Sequence, residues 1–167
     1  KEQEKRGGGG RYVYESKNIA DIPGAVAGLG ALREKDPEAL LSNIHEKARQ
    51  IKEPKELSTV LSEVRSNPLS LAGQDTVVSS ALTRAGMTNI FEASRSSSVS
   101  PEYVVSSDPD FYIYQEGPMN MNPVPPGKRA GWGRMGSCVI KVDEKLFSRA
   151  NTKIFDEILK LNSALVT

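Results

Sequence analysis

The stretch Ser100–Gln115 reads SPEYVVSSDPDFYIYQ. Ser100 has the side chain of a helix N-cap, and Pro101 suits the first helical position, where no intrahelical N–H bond is lost. Asp108-Pro109-Asp110 stops such a helix and turns the chain. Phe111, Tyr112, Ile113 and Tyr114 follow as four β-formers in a row, the pattern of a strand covered on both faces. A helix feeding a doubly covered strand implies an α/β fold with a mainly parallel central sheet flanked by helices.

The same alternation continues outward. Leu57–Val64 predicts a strand, and Arg65–Gly73 a loop. A helix then starts at Asp75 or Thr76, with Val77, Val78, Ala81, Leu82 and Ala85 inward and Gly86 as its C-terminal stop. Asn89-Ile90-Phe91 reads as a short strand, and Ser94–Ser98 as a serine-rich loop. Ser137–Val142 predicts a further strand. Asn151–Leu165 predicts an amphipathic helix with Ile154, Ile158, Leu161 and Leu165 on its inner stripe. Between the strands lies EGPMNMNPVPPGKRAGWGRMG, long enough to be functional or mobile.

Toward the start, Arg11–Glu15 predicts a strand, and Asn18–Ile51 is mostly helical. Ile19, Ile22, Val26 and Leu29 form one stripe; Leu40, Ile44, Ala48 and Ile51 form another. Asp36-Pro37 restarts the helix with an N-cap and a proline at its first position. Long or broken, this helix covers roughly 45 Å at 1.5 Å per residue, which suggests a strut between two lobes. KEQEKRGGGG before it reads as a flexible lead-in. No GK[ST] follows the glycines, so they do not make a phosphate loop.

Composition narrows the function. With 167 residues the chain can bury a core. Lys and Arg number 22 against 21 Asp and Glu, so charge gives no argument for a nucleic-acid partner. No apolar run approaches the roughly 18 residues of a membrane span. Any signal or anchor is expected to lie outside this chain. The single cysteine, Cys138, excludes an internal disulfide; its setting, Cys138-Val139-Ile140, predicts burial.

Little in the chain speaks of catalysis. His45, the one histidine, has no nucleophile or acid around it in sequence and reads as structural or solvent-facing. No metalloprotease, nucleophile-elbow or dinucleotide pattern occurs. Met119, Met121 and Met135 could serve as soft ligands, or as adaptable contact surface. Arg129, Trp132 and Arg134 could clamp an anionic, aromatic ligand; a solvated loop with one anchoring Trp is the equal alternative. Arg149, near the start of the last predicted helix, sits where α/β folds place ligands, or is simply a surface arginine. Glu102 complements the dipole of its helix.

From Arg11 onward the chain resembles the C-terminal part of the metal-chelate solute-binding proteins of ABC importers. Four segments carry the resemblance, in order: the run from RYVYESKNIADIPGAVAG through the predicted long helix, NPLSLAGQDTVVSSALTRAGMTNIF, SVSPEYVVSSDPDFYIY, and VIKVDEKLFSRANTKIFDEILKL. The resemblance implies a Rossmann-like C-terminal lobe over 57–167, preceded by a strand and interlobe helical backbone over 11–56 and the lead-in over 1–10. The family's N-terminal lobe has no counterpart here, so a fragment or a naturally shortened relative is expected.

The resemblance also implies a function: non-catalytic capture of a metal chelate outside the cytoplasmic membrane. A ferric siderophore comes first, with haem or cobalamin as the other cargoes, and no cofactor of the protein's own. Glu102 matches the glutamate that docks onto the permease subunits. Arg149 matches a position that faces the ligand cleft in some members, Ser96 matches one that meets the ligand in at least one member, and Ser70 and Leu71 fall in a loop that lines the cleft. Ser96 stands where a bulky aromatic occurs in the family, and Ala150-Asn151-Thr152-Lys153 replaces a Pro-Gly-Pro-Arg run. Both departures leave the ligand class open. A second expectation is a ligand-free assembly domain that self-associates through the face left by the missing lobe. A small flavodoxin-like enzyme is a third.

Overall fold

The computed structural model describes residues 18–32 and 36–166. The predicted strand Arg11–Glu15 and the lead-in lie outside these residues. Six strands form one sheet: β1 (Ser58–Ser66), β2 (Leu69–Leu71), β3 (Met87–Asn89), β4 (Ser97–Ser98), β5 (Phe111–Glu116) and β6 (Cys138–Asp143). Their order is β4-β2-β1-β5-β6, with β3 beside the first residues of β1. β1 runs parallel to β3 and β5, and β5 parallel to β6; β2 and β4 add antiparallel pairs at one side. The helices are α1 (Ile22–Leu32), α2 (Glu38–Gln50), α3 (Val77–Ala85), α4 (Pro101–Ser107), α5 (Glu144–Phe147) and α6 (Ile154–Val166).

The opening motif folds as its residues dictate. The Ser100 hydroxyl accepts from the Tyr103 N–H at 3.3 Å, and Pro101 leads α4. Asp108 ends the helix at φ 36. The acidic turn does more than reverse the chain. Asp108 accepts from the Gly136 N–H at 2.8 Å, and Asp110 accepts from both the N–H and the hydroxyl of Thr59. One turn thereby stitches the starts of β1, β5 and β6 together. β5 is covered on both faces, as four consecutive β-formers require. Ile113 joins a core with Val60, Leu82, Ile154 and Ile158; Tyr112 and Tyr114 join another with Leu61, Leu71 and Trp132.

α3 begins at the Thr76 cap, whose hydroxyl accepts from the Ser79 N–H, and ends at Gly86 with φ 93. A side chain there would be strained, and its Cβ would meet Pro54 at 2.6 Å. Val78, Ala81, Leu82 and Ala85 are buried against α6, whose stripe of Ile154, Ile158 and Leu161 faces back.

Several expectations are corrected. The segment Arg65–Gly73 is not a loop: it holds a hairpin return, with Leu69-Ser70-Leu71 paired antiparallel to β1. The short strand after α3 begins two residues earlier, at Met87. Asp143 caps a short helix, α5, that follows β6, and the last helix begins at Ile154 rather than Asn151. Asp36 does bond to the Glu38 N–H, at 2.9 Å, but Pro37 is the capping position of α2. Of the two forms allowed for the first helical segment, the broken one occurs: α1 and α2 are separate and touch each other. Ile19, Ile22 and Ile44 pack into the core under the sheet with α3 and α6, while Leu29 and Leu40 are exposed. Cys138 is exposed rather than buried, because it opens β6, which ends the strand order and pairs only with β5. Its neighbour Val139 is exposed for the same reason.

Candidate functional site

A cleft of about 530 Å³ opens at the carboxyl ends of β1 and β5, the end where parallel sheets carry ligands. β1 supplies Val64 and Arg65, and β5 supplies Gln115. The opening turn of α3 supplies Thr76, Val77 and Val78. Ser70 projects from β2, and Ser96, Ser97 and Ser98 come from the segment that forms β4. Glu144, Ser148 and Arg149 close the far wall, and Met119 reaches it from the long loop. A larger crevice, about 1120 Å³, follows α3 from Asp75 to Gly86 beside α2. No residue of β5 or β6 lines it, so the strand ends single out the smaller cleft.

Buried polar groups hold the cleft floor. Gln115 donates to the Val64 carbonyl at 2.8 Å and accepts from the Ser148 hydroxyl. Asn120 accepts from the N–H and hydroxyl of Ser66, at 2.9 and 2.7 Å, and donates to the Gln115 carbonyl at 2.7 Å. Glu144 accepts from the Met119 N–H at 2.8 Å. Gly117 permits this closure, since a Cβ there would lie 2.4 Å from Glu144 Cβ. Satisfied networks of this kind rigidify a site. Two cations stand on the cleft wall. Among the described residues, neither the Arg65 nor the Arg149 guanidinium has an ion-pair or hydrogen-bond partner.

The expected ligand residues divide. Ser70, Ser96 and Arg149 come together on the cleft; Leu71, Trp132 and Arg134 do not line it. Strand alternation sends Ser70 to the cleft and Leu71 into the core, where it is fully buried. Arg149 lies in the link between α5 and α6, ahead of the last helix. Trp132 is 5% exposed, edge-on to Tyr112 with ring centroids 5.3 Å apart. Arg129 lies 4.6 Å above the Trp132 ring and grips Glu63 with both terminal guanidinium nitrogens, at 2.5 and 2.9 Å. Tyr112 donates to the same carboxylate at 2.6 Å; burial first, and then the Glu63 charge, push its phenol far above the ordinary range. The expected Arg129–Trp132 clamp therefore closes on the protein's own Glu63. Arg134 is exposed away from the cleft. Met121 is exposed, Met135 packs on the second core, and His45 is exposed on α2.

Sequence reading missed Arg65, Thr76, Gln115 and Ser148. Arg65 carried a usable signal: a cation at the end of a predicted strand, where the carboxyl end of the sheet must lie. The others needed the hairpin and α5.

Glu102 is exposed in the first turn of α4. Its own N–H, and then the Ser100 hydroxyl, hold its carboxyl below the usual range. The register sets Ser98 opposite Ser70, and Ser70 opposite Arg65, so α4 starts at the same end of the sheet as the cleft. Among the described residues no cluster of three or more His, Cys, Asp or Glu could hold a metal ion. No described helix is long and apolar enough to cross a membrane.

No family model matches the chain, and no curated protein matches it by sequence. Solved structures match along nearly its whole length. A possible iron-binding, periplasmic solute-binding protein of Staphylococcus epidermidis superposes with a TM-score of 0.73 at 21% identity, over 94% of this chain and 66% of that one. IsdE of Staphylococcus aureus, complexed with haem, gives 0.74 at 14% identity, over 93% and 68%. An ABC-type Fe3+-hydroxamate transport protein of Saccharomonospora viridis gives 0.74 at 14% identity, over 92% and 58%. The chain thus spans only about two thirds or less of the length of such proteins. Its mainly parallel sheet, flanking helices and partial span make it similar in fold to a single lobe of the metal-chelate solute-binding proteins of ABC importers.

Proposed function

We propose that the chain is the ligand-binding lobe of a solute-binding component of an ABC importer. It captures a metal chelate outside the cytoplasmic membrane, without catalysis, and delivers it to the permease. In this reading residues 11–56 form the interlobe backbone and 57–167 the lobe. The observation that carries the proposal is the cleft at the strand carboxyl ends, with Ser70, Ser96 and Arg149 on its wall, in a fold shared with binding proteins for iron and haem. Glu102 is the docking residue. It is exposed, held ionised by its helix terminus, and at the cleft end of the lobe. An exposed carboxylate gives the exchangeable charge pairing that a shuttle between ligand and permease requires.

The test is uptake by the assembled importer. Glu102→Ala is expected to leave chelate binding unchanged and to cut permease-dependent uptake severalfold. Unchanged uptake would remove Glu102 from the proposal, and failure of every metal chelate to bind would remove the proposal itself.

Leu29, 39% exposed on an almost wholly apolar α1, favours a second reading, a lobe that self-associates through this helix. Light scattering separates the two: a monomer at every concentration rejects self-association.

A further inference from the structure

The chemistry of the cleft wall selects among metal chelates. We infer that the cleft takes an anionic ferric chelate with carboxylate or catecholate oxygen donors, its charge met by Arg65 and Arg149. This rests on the receptor-lobe reading above and narrows its cargo.

Three features of the wall converge. The first is charge. Arg65 and Arg149 carry the two cations of the wall, and neither guanidinium is engaged by another described side chain. Arginine forks match carboxylate and catecholate oxygens in geometry as well as charge. The one opposing carboxylate, Glu144, is 2% exposed, and one of its oxygens already accepts the Met119 N–H. Val77 and Val78 add the first N–H groups of α3, which have no intrahelical partner and carry the positive end of the helix dipole.

The second feature is the density of hydroxyls. Ser70, Thr76, Ser96, Ser97, Ser98 and Ser148 line the cleft. The hydroxyls of Ser70, Thr76, Ser97 and Ser148 donate to the protein's own oxygens and Ser98 pairs with Ser70, so the wall is polar rather than hydrocarbon and the Ser96 hydroxyl is left for a ligand.

The third concerns what a porphyrin needs. Haem binding uses an axial His, Cys, Met or Tyr, and apolar or aromatic walls for the macrocycle. Among the described residues no His, Cys, Tyr, Phe or Trp lines the cleft, and Met119 is the one soft donor there. Trp132 and Tyr112 are committed to the buried cluster around Glu63. An iron already enclosed by the oxygens of its own chelator needs no donor from the protein, only charge and hydrogen bonds around it.

The experiment is calorimetric titration of the full chain with four probes: ferric citrate, a ferric tris-catecholate, a ferric trihydroxamate and haemin. The anionic oxygen chelates are expected to bind most tightly, and more weakly as salt is added. Arg65→Gln and Arg149→Gln should each weaken them by roughly tenfold, the loss of one charge-assisted hydrogen bond. Urea midpoints of both variants should stay at the wild-type value, which excludes misfolding as the cause. Tighter binding of the trihydroxamate or of haemin overturns the inference and leaves the receptor reading standing. So does binding of the anionic probes undiminished in both variants. Absence of binding by all four probes overturns both.

Discussion

Arg129 and the pair Arg65 and Arg149 are the same residue put to opposite uses. Arg129 lies against the second core, forked onto a Glu63 carboxylate of zero exposure and stacked on Trp132. Arg65 and Arg149 line an open cleft with no described side chain to neutralise them. The first fastens the long loop to the sheet; the others leave charge available for something that is not the protein. Burial and partnership, not residue type, separate a structural cation from a binding one.

Several substitutions test that division, from the largest effect to the smallest. Arg129→Ala strands a buried carboxylate and should lower stability by about 3–5 kcal/mol in urea unfolding. Replacing both partners, Glu63→Leu with Arg129→Met, should recover most of that loss, because no charge is then left unpaired. A single variant as stable as the wild type would break the comparison. Ser100→Ala, at an exposed helix cap, should cost about 1 kcal/mol. It should also move the Glu102 carboxyl titration, followed by NMR, upward toward the ordinary range, since the Ser100 hydroxyl helps to hold it down. The sign is that of a depressed carboxyl. Its contribution is present above the unfolded-state pKa and is lost as pH falls through the lower folded one. Arg65→Gln and Arg149→Gln should change stability by less than about 0.5 kcal/mol, as expected for surface groups with no partner. A larger loss would show that these arginines are structural too.

What could be read from the sequence follows the range of the forces involved. Ser100, Thr76 and Gly86 act within one helical turn, so their capping roles were legible from neighbours alone. The four β-formers from Phe111 to Tyr114 announced a strand covered on both sides. Other features depend on partners far along the chain. Leu69-Ser70-Leu71 is too short to declare itself a strand until β1 lies beside it. Cys138 and Val139 looked like core residues because edge position is a property of the sheet and not of the strand. The chemistry of Arg129 and Trp132 was visible, but not its direction. Glu63, 66 residues away, turns them inward. In the candidate site, Ser70, Ser96 and Arg149 line one cleft. Arg65 and Gln115 join them only once the carboxyl ends of the strands are known.

The exposed thiol of Cys138 has a practical side. It is the only cysteine in the chain, and it opens β6 opposite Phe111, at the far end of the sheet from the cleft. A maleimide dye or nitroxide attached there would be a single, stoichiometric label. It would sit clear of the cleft, free to report on tumbling, docking or approach to a membrane.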